Sequence, residues 1–284
     1  MNIKTFYDND TATFTHIVID EVTKKCAVID SVLNYDQDAA RSSTKSADQV
    51  IQYIKENDLT NEWILETHIH ADHISAAFYL KQHIGGKTGI GSGIKDVLAL
   101  WVPKFNISED TPITGEQFDH LFEDGDKFNI GSMEVIMWHS PGHTPVCGSY
   151  LIEDAIFVGD TIFAPHIGTA RCDFPCGSAA DMYKTIQRIY TLPDDTRIFL
   201  CHDYPKEKGR QLHMITVSEE KAQNIMIKPE TSLEEYVEKR ETRDAKLAVP
   251  KLLYPSIQTN LRLGDFGVKS SNGLQYIKIP VNAI

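Results

Sequence analysis

The sequence is short of the features that would take it away from ordinary aqueous chemistry. No stretch approaches the roughly 18 apolar residues that a bilayer span needs, and the opening MNIKTFYDND has no apolar core of a secretory signal. Basic residues are outnumbered: 28 Lys and Arg face 40 Asp and Glu, for a net charge of -12. That deficit argues against a nucleic-acid backbone footprint, which needs clustered cations. It leaves room for a small anionic substrate held by one or two local cations. Cysteine is scarce and odd in number: Cys26, Cys147, Cys172, Cys176 and Cys201 offer no paired framework. Reduced thiols in a cytoplasmic compartment are the simplest reading. Internal repeats and low-complexity tracts are also missing. The expectation is a soluble cytoplasmic protein with neither a membrane nor a nucleic acid as partner.

What is present is an ordinary globular composition, 42% hydrophobic and 24% charged over 284 residues, enough to bury a sizeable core. No linker stands out, so one domain over 1–284 is expected, with 205–284 as its C-terminal extension. Segments 12–19 and 25–32 are rich in β-branched residues and read as a hairpin or meander. The polar stretch 34–46 reads as a loop. Ser46 and Gln49 then have the spacing of a capping box, and Ala47, Val50, Ile51 and Ile54 keep helical period to about Lys55.

Strand-to-helix alternation continues. A strand at 62–67 precedes a helix carrying Ala76, Ala77, Leu80 and Ile84, stopped by Gly85-Gly86. A strand at 87–90 and a helix near 93–101 follow, then a polar surface stretch from 104 to 126. Strands are expected at 133–138, 147–152 and 155–158, the last two joined by a Glu153-Asp154 turn. Ser178 caps a helix with Met182, Ile186 and Ile189, closed by Pro193, and 197–201 is a further strand. Beyond it come a charged loop (205–211), a polar helix (231–247) and two segments, 257–263 and 274–280, that read as short terminal strands or extended chain.

One stretch dominates the chemistry. Thr67-His68-Ile69-His70-Ala71-Asp72-His73 puts three histidines and a carboxylate within six positions, directly after the apolar Trp63-Ile64-Leu65. On an extended strand end, residues two apart point the same way, so His68 and His70 can converge on one ion. Asp72 and His73 are then expected at the start of the next helix, facing the same space. Imidazole and carboxylate suit zinc, iron and similar first-row metals. Three further strand ends carry ligand-type side chains: His143 in Ser140-Pro141-Gly142-His143-Thr144, Asp160 in Val158-Gly159-Asp160, and His202 in His202-Asp203-Tyr204.

H-x-H-x-D-H with these later residues resembles the signature of the metallo-β-lactamase superfamily. The resemblance implies an α+β fold, an αββα sandwich of two mixed β-sheets flanked by helices. The runs Gly168-Thr169-Ala170-Arg171-Cys172-Asp173-Phe174-Pro175 and Pro255-Ser256-Ile257-Gln258-Thr259-Asn260, together with His202-Asp203-Tyr204, resemble the persulfide dioxygenase branch. More narrowly, they look like its bacterial β-lactamase-hydrolase-like members. That resemblance implies oxidation of glutathione persulfide by dioxygen, to sulfite and glutathione, at one iron(II) per chain held by His68, His143 and Asp160. His70, His73 and His202 are the remaining candidate metal positions, and Asp72, Arg171 and Tyr204 are candidates for a direct part in catalysis. Arg171 can fork onto Asp173, Asp203 or a glutathione carboxylate, and Tyr204 can hydrogen-bond substrate from the pocket rim.

The same ligand positions serve a rival. A dinuclear hydrolase of glutathione thioesters, of the glyoxalase II kind, would carry two zinc ions or a mixed zinc–iron pair. In it His68, His70 and His143 hold one ion, Asp72, His73 and His202 hold the other, and Asp160 bridges them. A catalytically silent metal-binding or persulfide-sensing protein is the reading from a different class, and a homodimer is left open. His16, His83, His120, His139, His166 and His213 match no ligand position. Cys176 stands where the related segments carry glycine; it and Cys172 are expected as small buried side chains rather than a metal pair.

Overall fold

The computed structural model describes residues 1–204 and 211–282. The first half opens with a meander of β1 (Asn2–Asp8), β2 (Thr13–Asp20) and β3 (Lys25–Ile29), then a hairpin of β4 (Val32–Asp36) and β5 (Arg41–Ser43). Helix α1 (Lys45–Glu56), β6 (Thr60–Leu65), the short β7 (Ile74–Ser75), α2 (Ala77–Ile84), β8 (Lys87–Gly91), α3 (Ile94–Phe105) and β9 (His120–Phe122) follow. The second half has β10 (Lys127–Ile130), β11 (Met133–His139), β12 (Gly148–Ile152), β13 (Ala155–Phe157), α4 (Ala179–Ile189), β14 (Arg197–Phe199) and β15 (Met214–Thr216). Helices α5 (Val217–Gln223), α6 (Leu233–Asp244) and α7 (Leu253–Asn260) end the regular structure.

Two mixed six-stranded sheets result, ordered β1-β2-β3-β6-β8-β9 and β10-β11-β12-β13-β14-β15, with a small β5-β4-β7 sheet at one side. The strand sequences dictate the layering. In β3, Cys26 and Val28 face the helical layer of α1, α2, α3 and α7, while Ala27 and Ile29 face the opposite sheet. In β13 and β14, Ile156 and Ile198 turn to the layer of α4 and α6, and Phe157 and Phe199 turn inward. A strand buried on both faces therefore reads as one apolar run, with alternate residues serving two different cores. Each fully buried Val, Ile or Phe contributes about 1.5–3 kcal/mol, so three such layers fix the sheets firmly under the loops that bear the site. This is the expected α+β sandwich with helices outside.

Several local expectations are overturned. The 34–46 segment is a β-hairpin, not a loop, and β4 pairs with β7 directly beside the histidine-rich stretch. No capping box forms at Ser46: α1 begins earlier, at Lys45, and the Ser46 hydroxyl donates to Asp8 while its N–H donates to Asn34. Helix α3 runs on through Pro103, so the 104–126 stretch holds its last turn, the strand β9 and the buried Thr111 and Phe118. The first terminal segment is neither strand nor extended, since 253–260 is helix α7; the second, 274–280, joins no sheet and so is not a strand. The β-branched Ile257 and Thr259 suggest a strand, yet Leu253, Ile257 and Leu261 at helical spacing pack into the first core. Most of the charged loop at 205–211 lies outside the described residues. No helix among those described is long and apolar enough to cross a membrane.

Candidate metal centre

The parallel pairs β3–β6 and β13–β14 end on the same side of their sheets, so their C-terminal loops share one space. Strand β6 stops at Leu65, and residues 66–73 cross over the end of β3. Asp30 anchors that crossing, its carboxylate accepting from the Thr67 N–H and hydroxyl at 2.8 Å each. Asp160 follows Gly159, whose φ of +51° needs little steric room. A Cβ at Gly159 would collide with the Thr67 side chain, so glycine lets the aspartate turn slide beneath the histidine loop. His202 is drawn in by an isolated bridge to Thr13, which ties the end of β14 to the start of β2.

The candidate ligands fall into two adjoining groups. Donor atoms of His68, His143 and Asp160 lie within 4.8 Å of one another, and so do those of His70, Asp72, His73 and His202. Asp160 stands between them, one oxygen 3.8 and 3.7 Å from His68 and His143 and the other 3.3 Å from His202. His68 and His70 do not converge as two side chains on one extended face. Their rings are 4.0 Å apart, but the loop turns and His70 joins the second group. Asp72 and His73 lie in the loop before β7, not at a helix start, because α2 begins only at Ala77.

Each imidazole is gripped from outside by one nitrogen. His143 donates through Nδ1 to the Arg171 carbonyl at 2.7 Å. The Thr67 hydroxyl gives its proton to Asp30, so it accepts from His68 Nδ1 at 3.0 Å. His202 donates from Nδ1 to the Ala12 carbonyl at 3.3 Å, and His73 Nδ1 meets Asp72 at 3.3 Å. His70 is held through Nε2, with Asp30 and Glu66 carboxylate oxygens each 3.2 Å away. On His68, His73, His143 and His202 these grips fix the tautomer and leave the other nitrogen with its lone pair. His68 Nε2, His70 Nδ1, His73 Nε2, His202 Nε2 and Asp160 Oδ1 are buried with no hydrogen-bond partner. Five bare polar atoms gathered in two adjoining groups are costly in a protein interior and fit one or two first-row metal ions.

Electrostatics support the same fit. Burial, and then the neighbouring histidines, hold His68 well below the usual imidazole range, which keeps it neutral as a ligand must be. His70 is the exception: burial opposes charge there too, but Asp30 and Glu66 outweigh it and raise that residue, so an ion binding at Nδ1 would have to displace a proton. Burial works against the Asp72 carboxylate, yet His202 and His73 pull it below the ordinary range and keep it anionic. Cys201 also approaches Asp160 and His202. Burial and three nearby carboxylates push its thiol well up, so it stays protonated and is a poor ligand.

The groups open into a cavity of about 460 Å³ whose wall includes Asp72, His143, Asp160, Phe163, Phe174 and Tyr204. Tyr204 is half-exposed, its ring parallel to that of His202 at 5.9 Å. Arg171 reaches this wall, but its fork is filled by Asp173 at 2.6 and 2.7 Å, and a third N–H donates to the Ala248 carbonyl. Asp203 is not its partner; that carboxylate takes the Leu212 N–H. Arg243 and Lys251 also line the cavity, and neither has a carboxylate partner among the described residues. Cys172 is buried as expected, whereas Cys176 is exposed with φ +66°, the left-handed backbone that glycine adopts freely.

Sequence reasoning missed the residues that do the gripping. Asp30, Glu66, Thr13 and Thr67 carry no motif of their own, although Asp30 follows β3 directly and Asp160 likewise lies in the loop just after its strand, β13. Asn260 is the least visible: its side-chain amide donates to the His70 and His73 carbonyls at 2.9 and 2.8 Å and accepts from the Ser75 N–H at 2.8 Å. None of the six histidines set aside joins a metal-type group among the described residues. His16, the most buried of them, is occupied by Thr5 and the Leu200 carbonyl.

Residues 11–202 match the model of the metallo-beta-lactamase superfamily. "Glyoxylase B2" of Dictyostelium discoideum is 49% identical over 99% of this chain and 97% of its own. A "Beta-lactamase hydrolase-like protein" of Xylella fastidiosa is 43% identical over 98% of this chain, which spans 64% of that relative. The human mitochondrial "Persulfide dioxygenase ETHE1" is more distant, 28% identical over 92% of this chain and 88% of its own. The crystal structure of ETHE1 from Myxococcus xanthus superposes with a TM-score of 0.74 at 27% identity, covering 93% of this chain and all of that one. With the matched motif carried on the sandwich just described, the chain belongs to the metallo-β-lactamase superfamily.

Proposed function

We propose that the protein is a non-haem iron persulfide dioxygenase, turning glutathione persulfide, dioxygen and water into glutathione and sulfite. The observation that carries this reading is the compact set of His68, His143 and Asp160, two imidazoles and one carboxylate with donor atoms within 4.8 Å. Two histidines and a carboxylate on one face suit iron(II) and leave positions open for two reactants. Iron there would supply the redox chemistry by which the outer sulfur gives up four electrons to dioxygen.

The chain's own residues do the rest. Thr67 and the Arg171 carbonyl hold His68 and His143 in the ligating tautomer. Phe163 and Phe174 give the cavity apolar walls that exclude water from a reactive sulfur. Arg243 and Lys251 offer uncompensated positive charge to an anionic thiol carrier. Asp72 keeps a negative charge in the wall and orients His73. The likeness to the human persulfide dioxygenase supports the reading.

A second reading keeps specific support. The group of His70, Asp72, His73 and His202 beside Asp160 provides donors for a second ion, and a relative of higher identity bears the name glyoxylase. In that case the protein hydrolyses glutathione thioesters with two metals. Metal analysis with an oxygen electrode and a sulfite assay decides. One iron per chain, with dioxygen uptake and sulfite on adding glutathione persulfide, supports the dioxygenase. Two metals per chain, rapid thioester hydrolysis and no dioxygen uptake would replace it with the hydrolase.

A further inference from the structure

A second, much smaller cavity adjoins the site at His143. Its volume is about 20 Å³, and its wall is made largely by Ile69, Val97, Leu100, Trp101, Phe174 and Ile257. Ala71, His143 and Phe174 border both this cavity and the 460 Å³ pocket, so the two adjoin at a candidate ligand. The outer end reaches the surface at Asp96, Leu100 and Cys176, away from Tyr204, Arg243 and Lys251 at the larger mouth.

Size and polarity select the occupant. A cavity needs about 10–15 Å³ of such volume to hold one water-sized molecule. This one therefore takes a diatomic or a single water and excludes any thiol carrier. A buried water would need two to four polar partners. At the inner end the Thr144 hydroxyl is engaged with Cys147 and His143 Nδ1 with the Arg171 carbonyl, so little remains to hold one. Small apolar-walled cavities take up small apolar molecules such as xenon, and dioxygen is another. We propose that this cavity is a dioxygen-binding site that delivers the gas to the His143 side of the metal pocket, separately from the persulfide entrance. The inference rests on the dioxygenase reading above. It assigns a task to α3, which brings Val97, Leu100 and Trp101 against the histidine loop.

Xenon and filled variants test it. Xenon NMR or a xenon-pressurised crystal of the wild-type protein should show one atom at this cavity, lost in Leu100→Trp and in Val97→Phe. Leu100 is half-buried at the outer end, so its replacement is the milder for folding. In iron-loaded protein each variant should raise the KM for dioxygen by about tenfold, with the KM for glutathione persulfide moving less than twofold. Dioxygen uptake with no xenon at the cavity, or an unchanged dioxygen KM in both folded variants, would overturn the cavity assignment alone. No uptake by the iron-loaded wild type would sink the dioxygenase reading and this role with it.

Discussion

Asn260 offers the sharpest handle on how the C-terminal segment governs the site. Its amide makes three hydrogen bonds of 2.8–2.9 Å to backbone groups of residues 70–75, all buried. Asn260→Ala strands two carbonyls and one N–H, each costing about 1–3 kcal/mol when left unpaired in the interior. The sum, roughly 3–9 kcal/mol, is a large part of the 5–15 kcal/mol that stabilises most domains. Asn260→Asp is the gentler companion: it keeps the volume and the acceptor for Ser75 but sets a carboxylate oxygen against two carbonyls. Thermal unfolding should be followed with and without metal. If Asn260 holds the loop in ligating geometry, metal affinity falls by about 10–100-fold, as for other groups that orient ligands. Excess metal then stabilises the variants by about 1.4–2.7 kcal/mol less than the wild type. Gln258→Ala is the control, since Gln258 bonds only Lys278 from the same helix among the described residues. It should lower stability while leaving the metal-induced increment intact. An equal increment in wild type and both Asn260 variants would refute the positioning role and leave Asn260 as plain scaffold.

Three more outcomes are expected. Burial pushes the Glu220 carboxyl up from 4.5 to about 8, against a weaker opposing bond from Asn224. The folded state therefore holds a proton there that the unfolded chain releases, and stability falls as pH rises from about 4.5 to 8 by roughly 5 kcal/mol at 1.36 kcal/mol per pH unit. Glu220→Gln should flatten this slope and raise Tm at pH 8; a Tm difference from wild type that is the same at pH 5 and pH 8 would contradict the burial argument. For the metal centre, Asp160→Ala should abolish metal retention, because Asp160 faces both donor groups. His202→Ala should keep its one iron with activity about 10–100-fold lower if the site is mononuclear. Elemental analysis showing half the wild-type metal in His202→Ala would favour the dinuclear reading instead.

Donor residues were legible in the sequence because their spacing is local. Histidines at 68, 70 and 73 with Asp72 announce themselves, and His143, Asp160 and His202 each close a recognisable strand-to-loop run. The sandwich was legible for a related reason: runs such as Ala27-Val28-Ile29 are apolar without a break, as strands buried on both faces must be. What could not be read is which distant group holds each ring. Asp30 grips His70 from 40 residues away and Asn260 reaches it from 190, and no local pattern records such contacts. The division of His68 and His70 between two donor groups was hidden for the same reason, since Asp30 bonds both Thr67 beside His68 and the His70 ring. Helix α7 was misread because a segment buried on every side loses the polar stripe that would show its period.

These grips come from separate parts of the chain, and that has a consequence for how the site fails. His202 is held by the start of β2, His70 by the end of β3 and by Glu66, His143 by the loop bearing Arg171, and the histidine loop itself by α7. Without metal, five buried donor atoms stay bare, each carrying a penalty of about 1–3 kcal/mol, and only the surrounding packing keeps them converged. A substitution at any grip can relieve that penalty by letting one ring turn away toward a hydrogen bond elsewhere. The sheets need not unfold for this to happen, because most of their buried apolar residues lie on the strands and helices, although Ile69 and Ala71 tie the histidine loop itself into the first core. Loss of a grip should therefore appear first as lost metal and only later as lost fold, which places Asp30, Glu66, Thr67 and Asn260 functionally beside the ligands they orient.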